Sequence, residues 1–268
     1  MASCALDIVA EALKTLEEKC SVLLQTDKGN ELLISSKVAC QKLLQQINSK
    51  DTVTLTDCLQ GYAQASLDFT YVDENLLVEE EFSQSSSDER IRKVFDQFDN
   101  VIKLATELTP SQNLVDVLTP DLYECILWRK GALLYMYCSC VEKDETRAQS
   151  SEFMENLQKG VGFLQEMLKV RIPLTESREE IEFNDIETLQ LLQSGLFSDV
   201  HVLALMYCGE MCFWYHTYAK SATATDFDAK STGVKLLRDY INAVKGPLSG
   251  KGWNCDRAEQ LLKVLQDT

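Results

Sequence analysis

Apolar residues recur at threes and fours along most of this chain. From Leu6 the series runs Val9, Leu13, Leu16, Cys20 and Leu24, which is the spacing of one buried helical face. Gly29 and Asn30 interrupt it. Leu33, Val38, Leu43, Leu44 and Ile47 predict a second helix over 31–47. Thr54 with Asp57 has capping-box spacing and opens a third helix carrying Leu59, Tyr62, Ala63, Leu67 and Phe69. Ser86 with Glu89 is placed to cap a fourth, with Ile91, Val94, Phe95, Phe98, Ile102 and Leu104 along one side.

Thr119-Pro120-Asp121 reads as a helix start: an N-cap residue, Pro in the first turn, and an acid near the positive dipole end. The helix that follows, to Cys140, is apolar nearly all round, so it is expected to be central. After a polar break at 142–146, another helix runs toward Val170 and stops before Pro173. A short one opens at Asn184 and ends at Gly195. Ser198-Asp199 begins a second nearly all-apolar helix, to Ala219. Segments 227–244, stopped by Gly246-Pro247, and 256–266 complete the series.

The pattern predicts an all-α fold of about ten helices, antiparallel neighbours stacked as hairpins. Its general architecture is tetratricopeptide-like, but no signature recurs at about 34 or 40 residues. A single helical domain over 1–268 is expected, with the acidic, Ser-rich loop at 80–90 as the place where it would subdivide.

Composition supports this. Only 11 Gly and 4 Pro punctuate 268 residues, few for a fold built on tight turns. Asp and Glu number 42 against 26 Lys and Arg, a net charge of −16, which opposes nucleic-acid phosphates and anionic lipid. The longest apolar stretches, Gly131–Val141 and Val200–Gly209, are about half the ~20 residues a bilayer crossing needs. No nucleic-acid partner and no direct membrane insertion are therefore expected. Asp7 and Glu11 fit neither a signal peptide nor a mitochondrial presequence. Ten cysteines occur without a CxxC, so reduced, mostly buried thiols in the cytosol are predicted, Cys138, Cys208 and Cys212 among them. Cys138 and Cys140 stand two apart on a helix, badly placed for a disulfide.

His201, Cys208, Cys212 and His216 share an arc of about 80° on one helix, and zinc takes such ligands. The four span about 22 Å, so one ion could use only a neighbouring i, i+4 pair. The plainer reading is a buried helix with thiols packed as hydrophobes. With two histidines in the chain, no G-x-S-x-G elbow and no P-loop, no catalytic grouping and no cofactor site are found. Gly160-Val161-Gly162 and Gly250-Lys251-Gly252 are not phosphate loops, since neither follows a strand.

Charge offers more. Residues 51–89 hold ten acids and no Lys or Arg. Asp73, Glu79, Glu80 and Glu81 are expected to face solvent as part of a surface for a basic partner. Residues 179–219 hold seven acids and no base; there Asp199 reads as a cap and Glu210 as a buried carboxylate paired with a distant base. Arg129-Lys130, beside Trp128, either pair internally with acids such as Glu210 or anchor a partner. Ser85-Ser86-Ser87-Asp88-Glu89 fits a capped loop and also an acid-directed kinase target.

Four blocks carry a family resemblance. They are Glu124 to Cys138 (ECILWRKGALLYMYC), Ser194 to Trp214 (SGLFSDVHVLALMYCGEMCFW), Leu67-Asp68-Phe69-Thr70-Tyr71 with Glu74-Asn75 and Leu77-Val78, and Gly246-Pro247-Leu248 with Trp253-Asn254. In order and over most of the chain, they resemble the vertebrate family of Rab-seven-interacting subunits of the Mon–Ccz guanine-nucleotide exchange complex. The resemblance implies a cytosolic, non-enzymatic adaptor. Such an adaptor binds the late-endosomal Rab GTPase in its GDP form and associates with the exchange complex. It supports Rab recruitment and stability at damaged mitochondria during mitophagy. No catalytic or metal residue carries over. The other readings are a small helical metal-binding protein or enzyme using the His201/Cys208/Cys212/His216 stripe, and a helical scaffold without Rab preference.

Overall fold

In a computed structural model, residues 2–49, 53–84, 86–171, 185–194, 197–219 and 227–267 are described. Among them are twelve helices and no strand: α1 (Ala2–Leu23), α2 (Glu31–Ser49), α3 (Leu55–Glu79), α4 (Ser87–Leu108), α5 (Leu114–Leu118), α6 (Pro120–Val141), α7 (Glu145–Ala148), α8 (Ser151–Lys169), α9 (Asp185–Gln193), α10 (Asp199–Tyr218), α11 (Ala229–Lys245) and α12 (Asp256–Asp267). The ten expected helices are present. The additions, α5 and α7, have five and four residues, too few for a hydrophobic period to register. Each is set by an Asx cap: Asn113 accepts from Val115 N–H, and Asp144 from Thr146 and Arg147 N–H. The stops expected at Pro173 and Gly195, the start at Asn184, and Ser85 lie outside the described residues.

The chain divides into two compact units, 1–126 and 127–268; the division falls within α6. In the first unit, successive helices run antiparallel. Glu17 meets Gln41 while Cys20 meets Ser36, pairing α1 with α2. Ser36 Oγ donates to Ala65 O, and Gly61 lies against Leu43, pairing α2 with α3. Tyr62 meets Asn100 while Asp73 meets Arg90, pairing α3 with α4. The capping box at Thr54 forms as expected: its hydroxyl accepts from Asp57 N–H at 3.1 Å, and Asp57 accepts from Thr54 N–H at 3.0 Å. Ser86 occupies the N-cap of α4, but its side chain makes no capping bond. Its backbone at φ −92, ψ 1 lies outside the extended region that aims an N-cap oxygen at the first turn.

In the second unit, α8 runs antiparallel to α6 and to α10, and α11 antiparallel to α10 and to α12. Glycines set the closest approaches. A Cβ on Gly131 (α6) would lie 2.4 Å from Leu164 Cγ (α8), and one on Gly233 (α11) would lie 2.8 Å from Cys212 Cβ (α10). Gly160, read above as helical, sits within α8 against Met211 and Leu134. α6 begins after Thr119, whose φ of 67 is rare for a β-branched residue; the residue before Pro120 is excluded from the helical region by the proline ring.

Candidate functional site

The two long blocks singled out in the sequence lie on α6 and α10 and are joined by aromatic rings. Trp128 stacks on Tyr207 at 5.8 Å between centroids, Tyr207 on Tyr135 at 3.7 Å, and Tyr135 on Trp214 at 5.7 Å, all within 19° of parallel. The ladder alternates between helices because each contributes two rings seven residues apart, close to two full turns. Such stacked pairs contribute about 0.5–1.5 kcal/mol each beyond area burial. That matching spacing was the sequence signal for Tyr135 and Tyr207, which composition and charge did not pick out.

Glu210 lies beside the ladder, its side chain 9% exposed. Tyr135 Oη donates to Oε2 at 2.9 Å, and Arg257 donates to Oε1 through Nε at 2.9 Å and Nη2 at 2.6 Å. Burial, then the adjacent carboxylate, push the Tyr135 phenol above the ordinary tyrosine range, and Tyr207 likewise. The distant base expected for Glu210 is thus Arg257 on α12, not Arg129 or Lys130. Arg257 was missed because a half-exposed Arg on a polar terminal helix looks like any surface cation. Lys130 is buried, with its ammonium 4.2 Å from the centroid of the Phe163 ring. Trp128 and Arg129 are half-buried.

The His201/Cys208/Cys212/His216 stripe does not converge. His201 turns back to its own helix start, where Nδ1 accepts from Ser198 N–H at 3.1 Å and the ring packs on Phe197. It fills the role Glu or Gln usually takes in a capping box. Cys208 Sγ reaches Val161 O at 3.8 Å, whereas Cys212 faces Gly233. All ten cysteines are free thiols, with Cys138, Cys208 and Cys212 buried. Burial pushes these three well above the ordinary thiol range. Among the described residues, the metal-capable side chains that do gather are Cys255, Asp256 and Glu259, within 4.8 Å of one another. There Lys245 already holds the Glu259 carboxylate, and Cys255 donates its thiol proton to the same oxygen. A protonated thiol and an ammonium-bound carboxylate are poor metal donors.

The acidic stretch divides in two. Arg90, the first base after it, binds Glu80 at 2.7 Å and Asp73 at 3.3 Å. Asp73 and Glu80 therefore turn toward α4 and are half-buried, where open solvent exposure was expected. Glu79 and Glu81 are exposed. The turn between them and α4 is a Schellman closure: Phe82 N–H bonds Leu77 O and Glu81 N–H bonds Val78 O, with the Phe82 ring buried as its hydrophobic contact. Glu81 and Phe82 sit at φ 49 and 53, so Glu81 occupies the left-handed position that glycine normally takes. A groove of about 500 Å³, lined in part by Lys19, Asp73, Lys93, Asp96 and Gln97, opens beside this region. Its charges balance, and Lys19 is bound to Gln97 at 3.1 Å.

The family model described as RAB7A-interacting MON1-CCZ1 complex subunit 1 matches residues 32–231. The chain belongs to this family. Relatives of that name are 35% identical in Danio rerio, over 94% of each chain, and 34% identical in Mus musculus and Homo sapiens, over 89% of this chain and 88% of theirs. No solved structure matches. The family span takes in α2, α3, the acidic turn and the whole aromatic ladder. Arg257, which anchors Glu210, lies beyond that span. No helix among the described residues is long and apolar enough to cross a membrane.

Proposed function

We propose that this chain is an adaptor subunit that binds the RAB7A GTPase and the MON1–CCZ1 exchange complex. The observation that carries the reading is membership of a family named for both interactions, across most of the chain. The finer content comes from the family resemblance: preference for the GDP-bound GTPase, no chemistry of its own, a cytosolic chain recruited through its partners, and support of Rab recruitment and stability at damaged mitochondria during mitophagy.

The interface proposed from sequence comprises Asp73, Glu79, Glu80, Glu81, Trp128 and Arg129. Exposure of Glu79 and Glu81 supports their direct contact with a basic partner. Asp73 and Glu80, engaged by Arg90, would shape the turn that presents them.

The test is capture of purified Rab GTPases by the immobilised chain. RAB7A and several unrelated Rabs are each loaded with GDP or a non-hydrolysable GTP analogue, with and without MON1–CCZ1. Selective retention of GDP-loaded RAB7A is expected. Equal retention of unrelated Rabs would overturn the adaptor reading in favour of a general scaffold.

A further inference from the structure

We infer that the outward faces of α2 and α3 form one docking surface for a protein partner whose contact patch has an apolar centre and a Lys/Arg rim. This rests on the adaptor reading and deepens it by naming the surface. Ile34 and Val38 stand four apart on α2, and Tyr71 and Val78 seven apart on α3, so each pair lies on one helical face. All four are exposed: 42%, 55%, 45% and 38%. Single exposed apolar residues are ordinary, but here two stand on the outward face of each of two adjoining helices, the arrangement of an elongated docking face.

The adjacency is direct, because Ser35 Oγ on α2 donates to Asp68 Oδ2 on α3 at 3.1 Å. The two helices are antiparallel, and the Ser36–Ala65 and Ser35–Asp68 contacts bring the start of α2 beside the second half of α3. Glu31, Asp68, Glu79 and Glu81 give that end an acidic rim. α3 carries no Lys or Arg, whereas α2 carries Lys37 beside Val38 and Lys42 one turn beyond it, so the acids gather at the Tyr71–Val78 end of the face.

Charge selects the occupant. Anionic lipid would be repelled by this rim. A second copy carries the same net charge of −16, which opposes self-association. A basic-rimmed protein patch satisfies both the rim and the apolar centre, and long-range attraction speeds its association.

The test uses the full chain with two variants, Val38→Glu/Tyr71→Glu and Glu79→Lys/Glu81→Lys. Binding to immobilised GDP-loaded RAB7A and, separately, to MON1–CCZ1 is followed at several salt concentrations, with melting temperatures measured alongside. The wild type is expected to bind at least one partner. The first variant is expected to lose about tenfold or more in affinity at an unchanged melting temperature, as for truncation at an interface centre. The second is expected to associate several-fold more slowly at low salt, the difference fading as the Debye length falls below about 8 Å. Wild-type binding that neither variant alters would overturn the surface and leave the adaptor reading standing. A wild type that binds neither partner would overturn both. A wild-type dimer split by Val38→Glu/Tyr71→Glu in sedimentation would also overturn the inference, giving the face to self-association.

Discussion

Arg257 grips the carboxylate of Glu210 with two guanidinium N–H groups, Nε and Nη2, both on Oε1. The pair ties the last helix to the central one, and Tyr135 satisfies the other carboxylate oxygen. Removing Arg257 would leave a buried charge with one neutral donor, which is costlier than losing the attraction alone. The guanidinium side chain is 54% exposed, so water recovers part of the loss. Arg257→Ala is expected to destabilise by about 1–2 kcal/mol. Adding Glu210→Gln should restore part of that, because a neutral amide replaces the stranded charge. Urea unfolding of the single and double variants checks this; an unchanged midpoint for Arg257→Ala would contradict it.

Glu81 offers a test of backbone strain. A non-glycine residue in the left-handed region costs about 1–2 kcal/mol, while glycine enlarges the unfolded ensemble by about 0.4–1 kcal/mol. Glu81→Gly is therefore expected to stabilise by about 0.5–1 kcal/mol. Thermal melting decides it, and a destabilised variant would mean that the turn does not hold its Schellman geometry.

Gly233→Ala probes the α10–α11 contact. Alanine is the better helix former by about 1 kcal/mol, but its methyl would meet Cys212 Cβ at 2.8 Å and Leu265 Cδ1 at 3.1 Å. A Cβ cannot swing aside as a side-chain tip can, so the helices must separate. A net loss of about 1–2 kcal/mol is expected in chemical unfolding. Gly162→Ala, with open space around it, is the control and should be neutral or stabilising.

The buried thiols predict a dependence on alkaline pH. Burial raises Cys20, Cys58, Cys138, Cys208 and Cys212 above the ordinary 9.0, and Cys40 to about 12. The folded state then holds these protons more tightly than the unfolded state. Their contribution is complete below pH 9 and is lost as pH rises from there toward the folded values. Each unfolded thiol that ionises first steepens the fall by about 1.4 kcal/mol per pH unit. Unfolding under reducing conditions from pH 7 to 10.5 should show a plateau and then an accelerating decline, shallower in Cys208→Ala. Stability unchanged up to pH 10.5 would contradict it.

Much of the fold was legible in the sequence because helix formation is local. The series from Leu6 to Leu24, the Thr54–Asp57 box and the Thr119-Pro120 start each state their structure within a few residues. The nearly all-apolar character of 119–140 and 198–219 likewise marked α6 and α10, where the aromatic ladder is built. α5 and α7 were illegible because one turn or so is too short for a period.

What the tertiary structure alone decided is which charges meet. Asp73, Glu79, Glu80 and Glu81 look equivalent in sequence, yet Arg90 captures two of them across the α3–α4 turn and leaves Glu79 and Glu81 outside. Glu210 could have taken any of several bases; the antiparallel return of α12 delivers Arg257. His201 looked like one of four ligands until the helix start claimed its ring nitrogen. Periodicity specifies which face of a helix is apolar, but the partner of a charge depends on how helices distant in sequence pack, and no local pattern encodes that register.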